Sequence, residues 1–162
     1  MVSSEGVSES VAAVYVTLYY AGITSSRFIS GLISNKIPAK AIVLTGSGIV
    51  GLGILTVILP LPPTLKGIGL LLIGLGNGPT FPNLTYLTPS FFGKEVSQSI
   101  VGTIMVMCNL GICIMPPVFG LIAQYFSIGL FPYFIALWFV IMIVFEIAYI
   151  KMPKQKSSGL KF

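Results

Sequence analysis

The sequence predicts an all-α integral membrane protein built of five transmembrane helices, and three observations carry that expectation. Residues are 55% hydrophobic and only 8% charged, with a mean hydropathy of +0.99, against about 25% charged residues in soluble globular domains. Charges are absent between Lys40 and Lys66, between Lys66 and Lys94, and between Glu95 and Glu146. Each of the first two gaps fits one helix of about 20 residues across about 30 Å of hydrocarbon, and the third fits two. The apolar runs are also continuous, whereas membrane-spanning strands alternate over about ten residues.

The first span is placed at residues 11–33 and the second at 41–59, separated by a short basic loop. "LPLPPTLKG" divides the second span from the third, at 67–87. The fourth covers 99–125 and the fifth 130–150, parted by "YFSIGLFPYF", where Gly129 and Pro132 interrupt a run too long for one crossing. Residues 151–162 form a basic tail.

Orientation follows from the nine basic residues. Lys36 and Lys40 follow the first span, Lys94 follows the third, and Lys151, Lys154, Lys156 and Lys161 follow the fifth; Lys66 alone lies on the other side. Positive residues favour the cytoplasmic face, so the C-terminus is expected inside and the N-terminus, with Glu5 and Glu9, outside. The net charge of +5 thus orients the chain in the lipid bilayer and is not read as a nucleic-acid surface. No secretory signal peptide is recognised. An odd number of spans with an outside N-terminus is expected of a piece of a larger protein.

The inventory of reactive side chains excludes several classes. The chain has no His and no Asp, and its four Glu are scattered. Metal sites built on those residues, catalytic triads and paired-carboxylate chemistry lack their parts, so no enzyme activity, metal or cofactor is expected. Cys108 and Cys113 are read as small apolar filler of the fourth span. "GSGIVG" (46–51) has dinucleotide-turn spacing but sits in a membrane span, where glycines serve close helix packing. The sequon "NLT" (83–85) carries no weight at membrane depth.

Polar residues concentrate in the first, third and fourth spans: Tyr15, Tyr19, Tyr20, Arg27, Asn77, Asn83 and Asn109. These spans are expected to line a wet cavity or to bind one another. The second and fifth, nearly free of polar groups apart from Ser47, two threonines and Glu146, are expected to face lipid. Gly22, Ser26, Ser30 and Ser34 recur every fourth residue on one face of the first span, the spacing that lets helices approach closely.

"GLGNGPTFPNLTYLTPSFFG" (74–93) interrupts the third span with Pro79, Pro82 and Pro89. Each proline removes a backbone donor and tends to kink or break the helix. Broken backbone at membrane depth is tolerated where protein or a water-filled cavity satisfies it, as at the midplane sites of secondary transporters. Asn77, Phe81, Thr85 and Thr88 fall on one helical face, either as a solute surface or as groups that satisfy the kinked backbone and a neighbouring helix. Asn109 carries the same two readings, Tyr19 is a cavity candidate of the first span, and Pro116-Pro117 reads as a second kink. Arg27 lies ~9 Å from the cytoplasmic end at 1.5 Å per residue, within reach of the interface by snorkelling. Glu146 lies similarly near that surface, and a proton-carrying role is the lesser of its readings.

"AGITSSRFISGLISNKIPAK" (21–40) resembles the cytoplasmic end of the second or eighth helix of major facilitator superfamily transporters. Arg27 precedes the loop, Gly31 matches its leading glycine, Lys36 its basic position and Lys40 its closing basic residue. Asn35 stands where the family usually has Asp, so the charge-relay role of that position is not carried over. The stretch 74–99, followed by "MPPVFGLIAQYF", is similar to the tenth and eleventh helices of the fucose-proton symporter branch and neighbouring bacterial members. The resemblance implies helices eight to twelve of a twelve-helix fold, with the eighth, tenth and eleventh bordering a central cavity. It further implies alternating-access transport of a sugar-like or other small organic solute in a bacterial inner or plasma membrane. Any proton coupling would run through the missing half, and a C-terminal fragment would be inactive alone. The alternative is a non-transporting membrane interaction protein derived from a transporter half.

Overall fold

The computed structural model describes residues 8–59, 61–125 and 128–151. Within them the chain is helical throughout: α1 (Glu9–Ile33), α2 (Ala39–Ile58), α3 (Pro63–Phe92), α4 (Lys94–Tyr125) and α5 (Phe131–Lys151), with one 3₁₀ turn at Ile128–Leu130. Glu5 and the tail lysines Lys154, Lys156 and Lys161, on which the orientation argument partly draws, lie outside the described residues.

Local chemistry sets the helix ends. Pro38 stands in extended conformation just before α2, and a proline biases its predecessor away from helix, which closes the α1–α2 loop. Pro63 opens α3 at its first helical position, where the missing N–H costs nothing. Gly93 ends α3 at φ 84°, a value that favours glycine, with its N–H donated to Pro89 O. The turn before α5 falls at Gly129, with Pro132 inside the first helical turn.

The prolines of α3 do not break it. Pro79, Pro82 and Pro89 lie inside a single helix of 30 residues, and Pro116 and Pro117 lie inside the 32-residue α4. The expected broken helix is therefore corrected to a continuous one, and one of the freed carbonyls, Gly78 O, takes a donor from α1.

α3 is the axis of the bundle. It packs most extensively on α2 and then on α1, and glycine makes both approaches possible. A Cβ at Gly46 of α2 would stand 2.7 Å from Gly76 O of α3, and one at Gly53 would stand 2.7 Å from Gly69 O. At Gly22 of α1 the neighbour is Leu71 O, also at 2.7 Å. Only a hydrogen at these positions lets the backbones touch. The small-residue face of α1 is seated accordingly, with Gly22, Ser26 and Ser30 buried and Ser34 exposed.

Among the described residues three helices are long and apolar enough to cross a membrane by length and composition: α2, α4 from Val96 onward, and α5. α1 and α3 fall short of that measure, and Arg27 and Ser30 of α1 meet Gly78 and Asn83 of α3 at their shared face. Large apolar side chains such as Phe28, Ile112 and Phe145 are about 70% exposed. A surface this apolar suits lipid or another helix and not water.

Candidate functional site

A polar seam runs between α1 and α3. Pro82 lacks an N–H, so the carbonyl four residues earlier, Gly78 O, has lost its helical donor. Arg27 supplies one from α1: its Nε donates to Gly78 O at 3.2 Å. Snorkelling alone therefore does not describe Arg27, although the side chain is largely exposed. One turn further, Asn83 is buried and divides its amide hydrogens between Ser30 Oγ of α1, at 3.0 Å, and Pro79 O of its own helix, at 2.7 Å. Tyr15 packs its ring against Gly67 at the other end of the same interface. Part of the polar set in α1 and α3 thus binds one another.

The solute-surface candidates of α3 differ in exposure. Asn77 is exposed, and Phe81 and Thr85 are half-buried. Thr88 departs from that group: it is fully buried, its Oγ1 donates to Leu84 O at 3.2 Å, and it lies 3.2 Å from the Tyr149 hydroxyl of α5. Tyr19 is half-buried, with its ring edge-on to Tyr20 at 5.4 Å. Asn109 is exposed on α4 and donates Nδ2 to Met105 O, on its own helix, at 2.8 Å. Among the described residues Asn109 is thus held by its own helix, with no interhelical hydrogen bond. Pro79 is buried, whereas Pro82, Pro116 and Pro117 are exposed.

The loop-motif residues separate into two groups. Gly31 lies in the last turns of α1 with open space where a Cβ would be, and Asn35 and Lys36 are exposed. Lys40 instead anchors the bundle, donating Nζ to Ile150 O at the end of α5 at 2.6 Å and lying 5.0 Å from the centre of the Phe91 ring. A cation at a helix C-terminus is favoured by the helix dipole. Phe91 meets Tyr149 edge-on at 5.0 Å, so the ends of α2, α3 and α5 converge here.

Two side chains expected to face lipid or the surface do neither. Ser47 of α2 and Glu146 of α5 are both buried, with Ser47 Oγ 2.6 Å from Glu146 Oε2. No sequence spacing signals a pair 99 residues apart; the available hint is that each is an isolated polar group on an apolar helix. Cys108 and Cys113, read as small apolar filler of the fourth span, are free and exposed. Among the described residues no cluster of His, Cys, Asp or Glu is arranged to hold a metal ion.

Glycine-locked apolar helices with a buried polar seam and an exposed asparagine on the central helix define the class: a multi-pass α-helical membrane bundle. The sequence matches the Major Facilitator Superfamily over residues 1–162, and the chain belongs to that superfamily, whose members are membrane transporters of small solutes and not enzymes. No curated protein and no solved structure matched the chain.

Proposed function

We propose that this chain forms the solute-facing part of a secondary active transporter for a small polar organic molecule, sugar-like in chemistry, working by alternating access with an opposing helical half. The observation that carries the reading is the split character of α3. Two of its sides are held to α1 and α2 through glycine, while Asn77 stays exposed with Phe81 and Thr85 beside it. An aromatic ring flanked by amide and hydroxyl groups suits a sugar, which offers C–H faces and hydroxyl edges together. Asn109 and Tyr19 are assigned to the same cavity, from α4 and α1.

In this reading the five helices correspond to the eighth to twelfth of the full fold, in the fucose-proton symporter branch. The chain sits in a bacterial inner or plasma membrane with its N-terminus outside and its C-terminus in the cytoplasm. It is a C-terminal piece, inactive alone, because alternating access rocks one half against the other. Any coupling to protons by the opposing half would add to the one considered below.

The alternative reading, a membrane interaction protein that moves no solute, draws on α4, none of whose described side chains is buried. Uptake of labelled hexoses, pentoses and related polyols, measured in cells expressing the chain with its opposing half, separates the two. The transporter reading predicts uptake of at least one solute, reduced about tenfold or more by Asn77→Ala or Asn109→Ala at unchanged protein level. Absence of uptake across the panel, with stable helix association, favours the interaction protein. Uptake indifferent to both substitutions removes these residues from the site.

A further inference from the structure

Glu146 is 5% exposed and is the one buried residue of α5 among the described residues. Its Oε2 lies 2.6 Å from Ser47 Oγ, and its Oε1, also buried, has no hydrogen-bond partner among the described residues. Ser47 Oγ is also 3.1 Å from Val43 O on its own helix. A serine hydroxyl owns one hydrogen, so it cannot donate to both oxygens at once.

The two protonation states distribute that hydrogen differently. With an ionised carboxylate, Ser47 must turn its hydrogen to Oε2 and abandon Val43 O, leaving Oε1 as a charged oxygen buried without a donor. With a neutral carboxyl, Glu146 donates to Ser47 Oγ while Ser47 donates to Val43 O. Both short distances are then hydrogen bonds, and the remaining oxygen is an uncharged carbonyl. Burying an unpaired charge is far costlier than burying a polar group.

Among the described residues no cation on the packed elements is hydrogen-bonded or ion-paired to Glu146. The one ionisable side chain of α2 is Lys40, two turns from Ser47 or ~10 Å along the helix, with its Nζ on Ile150 O and over the Phe91 ring. On α5, Tyr149 is committed to Leu84 O and Thr88, Tyr133 lies near the opposite end, and Lys151 is exposed at the terminus. α3, which meets α5 through Thr88 and Tyr149, carries Lys66 in its first turns and an exposed Tyr86.

We propose that Glu146 is a proton-binding site: with α5 seated on α2, its carboxyl is protonated and donates to Ser47 Oγ, and the proton leaves when the two helices part and admit water. The site lies on a helix pair away from Asn77 and does not depend on which solute is carried. It makes separation of α2 and α5 a proton-linked event within this chain.

Infrared spectroscopy of the full chain in lipid nanodiscs tests this directly, because only four acidic side chains contribute. At neutral pH the wild type should show the carbonyl stretch of a protonated carboxylic acid, lost in Glu146→Gln and retained in Glu95→Gln. Ser47→Ala should move the band to higher frequency as the carboxyl loses its hydrogen bond. Absence of the band in the wild type, or its survival in Glu146→Gln, overturns the proposal. Should Glu146→Gln fail to fold, Ser47→Ala decides: a shifted band supports the assignment, and an unmoved band overturns it.

Discussion

Arg27→Met should destabilise the bundle, and the size of the effect should depend on a residue in another helix. The guanidinium Nε reaches Gly78 O at 3.2 Å, the carbonyl that Pro82 leaves without its helical donor. Methionine keeps comparable length and apolar volume but cannot donate. A lost hydrogen bond that leaves an acceptor unpaired costs about 1–3 kcal/mol. In a Pro82→Ala background the alanine N–H serves Gly78 O along the helix, and Arg27→Met should then cost no more than about 0.5 kcal/mol, as at an uninvolved surface position. The coupling energy across the double-mutant cycle is therefore expected at about 1–2 kcal/mol. Reversible unfolding in mixed detergent micelles, followed by far-ultraviolet circular dichroism, supplies the four stabilities. Equal penalties for Arg27→Met in both backgrounds would refute the reasoning and return Arg27 to a snorkelling residue.

Further expectations rest on the same interfaces. Gly46→Ala places a methyl 2.7 Å from Gly76 O and should cost about 1–3 kcal/mol by overpacking, whereas Gly48→Ala, with nothing within 4 Å, should be tolerated; thermal unfolding of the two variants side by side checks this. Asn83→Leu removes the bond to Ser30 and should cost about 0.6 kcal/mol, the average for hydrogen bonds between membrane helices. Its effect should largely vanish in a Ser30→Ala background, measured by the same unfolding assay.

Fold class was legible because charge is scarce and the apolar runs are continuous, which together admit little but membrane helices. Helix ends were less so. Predicted spans stop near charges such as Lys66 and Lys94, where the hydrocarbon ends, yet the helices continue, so that α3 runs from Pro63 to Phe92. Proline misled in a specific way. A sequence shows which carbonyls lose their donors but not that Arg27, 51 residues from Gly78, supplies one, and so the third span was expected to break. Small residues were informative for the converse reason: the four-residue repeat of Gly22, Ser26 and Ser30 is local, and it marks the face that packs on α3. Ser47 and Glu146 lay beyond that logic, since a lone polar group on an apolar helix identifies no partner until the helices are placed side by side.

Water accessibility of the α3 face tests the central claim most directly. In a Cys108→Ser, Cys113→Ser background, single cysteines at Asn77, Thr85 and Phe145 would be exposed to a small, membrane-impermeant maleimide in cells expressing the chain with its opposing half. A solute cavity on α3 predicts labelling at positions 77 and 85, and none at 145 on the lipid-facing side of α5. Labelling at 145 with protection at 77 and 85 would contradict the account and turn the polar face of α3 into a dry helix contact.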